Sequence, residues 1–98
     1  MNNKHYILKN KKLIETDLLT WAKFMENPER IVKQEYLPNG YEVSTVFLGI
    51  DHNFGVGEPL LFETMVFGKD NEEYIDRYTT YEESEIGHKK AVELFINK

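Results

Sequence analysis

The spacing of apolar residues changes period several times along this chain and marks out its elements. Tyr6, Ile7 and Leu8, a polar Lys-Asn-Lys, and then Leu13 and Ile14 read as a short hairpin. Leu18, Trp21, Ala22 and Met25 follow at i, i+3, i+4 and i+7, the spacing of one helical face, with Thr16 or Asp17 as N-cap and Asn27-Pro28 as terminator. From Arg30 the period shortens. "RIVKQEYL" and "YEVSTVFLGI" flank Pro38-Asn39-Gly40, and a two-residue Asn39-Gly40 turn would set Tyr36 opposite Val43, Gln34 opposite Thr45 and Val32 opposite Phe47. The first of these strands is mixed on both faces, which places it at a sheet edge.

"LLFETMVF" is apolar on both faces, as in a central strand covered on two sides, and "YIDRYTTY" supplies a further strand after the solvated turn "KDNEE". Thr80-Tyr81-Glu82-Glu83 is a capping box. It opens a helix to about Phe95 whose apolar stripe is Ser84, His88, Ala91, Val92 and Phe95, with Ile86 and Leu94 at its margins. The order β-β-α-β-β-β-β-α predicts one α+β domain over residues 1–98, an antiparallel β-sheet of about four to six strands carrying two helices.

The bulk composition narrows the chemistry. The net charge of −5, from 17 acidic and 12 basic residues, disfavours general nucleic-acid binding, which rests on neutralising phosphates. With no cysteine, thiolate catalysis, disulfides and Cys-ligated zinc are excluded. "MNNKHYILKNKK" lacks the apolar core of a signal peptide, and no run approaches the ~20 apolar residues of a membrane span. A cytoplasmic protein without membrane contact is expected.

Candidate chemistry gathers around "GIDHNFGVGEPLLFETMVFG", residues 49–68. The nine-residue connection from Asp51 to Pro59 is long for a hairpin, and such loops often carry function. Asp51, His52, Asn53, Phe54, Gly55 and Glu58 are the candidate binding residues: hydrogen-bonding side chains with an aromatic surface beside them. The ordinary alternative is local Asx-turns with Phe54 folded onto the core. Glu63, inside an apolar strand, must find a partner, because buried charges come paired. Arg77 on the next strand is favoured, as a structural charge pair, over His52 and His88. Asp51, His52, Glu63 and His88 have the donor types of a metal centre, but no compact ligand motif joins them, and no cofactor is predicted. No nucleophile elbow surrounds Ser44 or Ser84, so the residues lean away from an enzyme.

"EVSTVFLGIDHNFGVGEPLLFETMVFG" and "RYTTYEESEIGHKKAVELF", residues 42–95, resemble a family of small proteins encoded in phage and prophage genomes, with the signature VSTVFLGxDHNFGxGxPLLFETMVFG. Tyr81 stands where that pattern has Trp, and Ser84 where it has Ala; both fall at the start of the last helix and read as packing variation. The resemblance assigns no catalytic residue. It implies an accessory protein in the host cytoplasm that binds and blocks a host protein or its small nucleotide signal, as an anti-defence factor would. Two other readings stay open from the residues. One is a metal-dependent hydrolase of a nucleotide or nucleic acid; the other is a homo-oligomeric structural module joined through an edge strand.

Overall fold

The fold is described from a computed structural model over residues 4–51, 57–68 and 74–98. The elements follow the order β-β-α-β-β-β-β-α: β1 His5–Lys9, β2 Lys12–Thr16, α1 Leu18–Phe24, β3 Ile31–Tyr36, β4 Glu42–Phe47, β5 Phe62–Phe67, β6 Tyr74–Tyr78 and α2 Tyr81–Phe95. The class is α+β, with the strands divided between an antiparallel hairpin, β1-β2, and a four-stranded antiparallel meander, β3-β4-β5-β6. Tyr6 N–H donates to Gly49 O at 2.8 Å, and His5 bridges Ile50, so the hairpin is tied to the end of β4.

The two hairpins take different turns for reasons written in their residues. Between β1 and β2 only Asn10 and Lys11 intervene, both at positive φ (53° and 66°), the backbone of a two-residue type I′ turn. Between β3 and β4 the expected two-residue Asn39-Gly40 turn is absent. Pro38, with its fixed negative φ, takes the first corner of a wider turn in which Gly40 N–H donates to Leu37 O at 3.1 Å. Gly40 alone is left-handed there, at φ 96°. Leu37 N–H then donates to Tyr41 O at 2.7 Å, and the loop is three residues long. The register therefore slips by one: Tyr36 faces Glu42, Glu35 faces Val43 and Lys33 faces Thr45, with a bulge between Ile31 and Lys33. A one-residue slip exchanges the faces of a strand. Glu35 thus points to the helix side, not away from it.

α2 lies across the meander and is started by the Thr80–Glu83 capping box. Ser84, Gly87, His88, Ala91 and Phe95 are buried, whereas Ile86 and Leu94 face solvent. Gly87 is where helix and sheet meet most closely: a Cβ there would sit 2.1 Å from Tyr78 Cζ and Oη. The opposite face of the meander has no element packed against it among the described residues. β5 is central in strand order, with Phe62, Thr64 and Val66 buried on the helix side, Glu63 and Met65 half-buried on the other face and Phe67 exposed; among the described residues the expectation of two covered faces is met on the helix side alone.

α1 is shorter than its periodicity predicts. Asp17 caps it by accepting from Thr20 N–H at 2.7 Å, and it ends at Met25, before a separate 3-10 turn, Pro28–Arg30, capped by Asn27. Phe24 and Met25 pack on the core and the Trp21 ring leans at 54° against His5, while Leu18 and Ala22 are exposed. In a helix of seven residues, contact with the neighbouring hairpin and with Phe47 decides the buried face.

The core has two apolar clusters. One holds Leu37, Tyr41, Val43, Val66, Ala91 and Phe95; the other holds Leu8, Phe47, Leu61, Phe62 and Tyr78. Between Val43 and Phe47 on β4 stands Thr45, and between Phe62 and Val66 on β5 stands Thr64; both are fully buried. A polar layer separates the two clusters.

Candidate functional site

The polar layer is built by three consecutive strands and one helix. Thr45 and Thr64 are cross-strand partners whose hydroxyl oxygens lie 2.6 Å apart. α2 places His88 Nδ1 2.7 Å from Thr45 Oγ1, and His88 Nε2 lies 2.8 Å from Glu35 Oε1 on β3. A carboxylate only accepts, so Nε2 carries a hydrogen and donates to Glu35. In the neutral ring Nδ1 then accepts from Thr45, and Thr45 accepts from Thr64. Every member from Thr64 to Glu35 is thereby engaged, as burial requires. Tyr78 marks the inner end: its buried hydroxyl stands beside Thr64 without completing a hydrogen bond, and burial pushes the phenol above its ordinary pKa.

Glu35 marks the outer end. The hydrogen bond from His88 holds its carboxyl below the usual carboxylate range, with Lys33 Nζ, 3.3 Å away, adding to the effect. It opens into a groove of about 470 Å³ between β3 and α2, walled by Val32 and Val92 and lined by Lys33, Glu85, His88 and Lys89.

Hydroxyl, imidazole and carboxylate in series resemble a nucleophilic triad, but the polarity is reversed. In such a triad the hydroxyl meets substrate while the acid is buried. Here Thr45 is 0% exposed and already accepts from Thr64, while the carboxylate side chain is 34% exposed. The series holds α2 to the sheet and offers no nucleophile.

The residues marked in the sequence are dispersed. Arg77 Nε donates to Glu63 Oε2 at 3.0 Å across the β5–β6 register. Both side chains lie on the uncovered face of the meander, whereas His88 sits on the helix side. Glu63 and His88 are therefore separated by the sheet and do not share one ion. No group of three metal-ligating side chains occurs among the described residues. Asp51 Oδ1 accepts from Leu60 N–H at 2.9 Å, a bond nine residues apart that joins the two ends of the connection and is not a local Asx-turn. Glu58 is exposed, and His52, Asn53, Phe54 and Gly55 lie outside the described residues.

Sequence reasoning missed the uncovered face as a surface. Strand alternation and register put Gln34, Tyr36, Glu42, Ser44, Val46, Met65, Phe67 and Ile75 on it together with the Glu63–Arg77 pair. Tyr36, Phe67 and Ile75 are large and exposed. The signal was the alternation itself, which becomes legible only once a single helix is known to cover the sheet. Among the described residues no helix is long and apolar enough to cross a membrane. Neither a protein-family model, nor a curated protein, nor a solved structure matches the chain.

Proposed function

We propose that this protein acts by binding and blocking a partner rather than by turning over a substrate, as an accessory phage protein of the kind its signature resembles. The partner is a host protein, engaged through the uncovered face of the meander with the 51–59 loop as a second contact. The observation that carries this reading is the division of labour between the two faces. On the helix side the reactive side chains are locked into one another from Thr64 to Glu35. On the other side Tyr36, Phe67 and Ile75 stand exposed on a rigid sheet, the aromatic and aliphatic anchors that interfaces use.

A protein partner is favoured over a nucleotide signal. The groove beside Glu35 has the volume of a small-ligand site, but Glu35 and Glu85 offset Lys33 and Lys89 there, so it offers a polyphosphate no net positive charge. The test is a comparison of variants for protection of phage in defended host cells. Glu35→Gln should retain protection, and Tyr36→Ser/Phe67→Ser should lose it while keeping its fold. Loss of protection in a folded Glu35→Gln variant, with Tyr36→Ser/Phe67→Ser fully active, would move the function to the groove.

A further inference from the structure

At one end of the uncovered face, three side chains form a row across the strands: Tyr36 on β3 is opposite Glu42 on β4, and Glu42 is opposite Phe67 on β5. Tyr36 is 76% exposed and Phe67 48%. Between and beside them is an open space of about 320 Å³, lined by Tyr36, Gly40, Glu42, Phe67 and Gly68. Directly opposed residues share a face, so Tyr36 and Phe67 stand on either side of Glu42. Gln34 Nε2 donates to Glu42 Oε2, and among the described residues Glu42 has no cationic partner.

We propose that this row is a binding site for a guanidinium group, the arginine side chain of a protein partner. The proposal rests on the binding reading above and names its chemistry. Strands spaced at about 4.8 Å set the two rings roughly 10 Å apart. A planar cation stacks about 3.5–4.0 Å from a ring face, so at this separation it stacks on one ring, with the other as the far wall of the site. Aromatic faces attract cations, guanidinium stacks on them more readily than ammonium does, and a carboxylate below supplies a charged acceptor. The carboxylate of Glu63 on this face is already paired, with Arg77. Glu42 is the carboxylate on this face whose charge a partner must complete. A net charge of −5 draws a basic partner towards the protein as a whole.

The test is titration of ¹⁵N-labelled protein with N-acetyl-arginine amide, with N-acetyl-glutamine amide and matched sodium chloride as controls. Saturable amide shifts should appear at residues 36, 40–42 and 67–68 with the arginine compound alone. Glu42→Gln and Phe67→Ala, each checked for an unchanged amide spectrum elsewhere, should weaken binding about tenfold, the equivalent of one charge-assisted contact. The proposal is overturned by the absence of saturable shifts in that row, by equal shifts with the glutamine compound, or by unchanged affinity in Glu42→Gln. Should a host protein still lose binding to Tyr36→Ser/Phe67→Ser in any of those cases, the guanidinium assignment alone fails and the binding reading stands.

Discussion

Glu35 connects the interior of this protein to its surface, and its environment fixes a pH dependence. Its carboxyl is held below the ordinary range by the hydrogen bond from His88 and by Lys33. A carboxylate with a depressed folded pKa contributes stability above its unfolded pKa of about 4.3, and loses it as pH falls through the folded value. Asp17 and Glu83 are shifted the same way by hydrogen bonds from Thr20 and from Thr79, so acid destabilisation has several sources. The difference between wild type and Glu35→Gln isolates one of them. In thermal melts from pH 7 to pH 3 the two midpoints should converge on acidification, with wild type the more stable at pH 7. At the same scale, Thr45→Val removes the donor to His88 and the acceptor for Thr64. It should cost about 1–3 kcal/mol by leaving buried polar groups unpaired, read as a lower urea midpoint with an unchanged m-value. The need of Glu63 for a counter-charge was legible in the sequence, because a carboxylate within "LLFETMVF" stands out against its neighbours. The role of Glu35 was not, because one residue of register decides which face of β3 it occupies.

Among the elements, α2 and its contact with β6 carry a sharp expectation. Helix propensity alone favours Ala over Gly by about 1 kcal/mol in a helix interior. At Gly87 the added Cβ would run into the Tyr78 ring, and overpacking costs about 1–3 kcal/mol. Gly87→Ala should therefore be destabilised in chemical denaturation, against the propensity scale; a stabilised variant would show that helix and sheet can move apart cheaply. The order of elements and the helical stripe Ser84, His88, Ala91 and Phe95 could be read from periodicity, since capping box and spacing agree there. The β3–β4 register could not. Asn-Gly is a strong signal for a two-residue turn, but Pro38 before it supplies a corner that suits the three-residue alternative. The true type I′ turn falls on Asn10-Lys11, where Lys11 carries the left-handed backbone without a glycine. The face of α1 was misread for a tertiary reason: Trp21 and Phe24 are held by His5 and Phe47, contacts made with other elements.

For the whole molecule, a one-sided fold explains why the chemistry and the accessible surface are separate. α2 closes one face of the meander over two apolar clusters and the polar layer between them. On the other face Tyr36, Phe67 and Ile75 are exposed among the described residues. The 51–59 loop departs beyond the Phe47 end of β4, whereas the Tyr36–Glu42–Phe67 row lies at its Glu42 end. The acidic charge predicts that partner association slows as salt is raised from about 50 to 500 mM, because electrostatic steering is screened over that range. Stopped-flow association rates would show it, and a rate independent of salt would remove the charge from the account. The central claim is met most directly by titrating a purified host partner, first recovered from lysate with the wild-type protein, against wild type, His52→Ala/Phe54→Ala and Tyr36→Ser/Phe67→Ser in a calorimeter. Stoichiometric binding to wild type, weakened at least about tenfold in Tyr36→Ser/Phe67→Ser by loss of two exposed aromatic anchors, is the predicted result; equal affinity for that folded variant and wild type would contradict it.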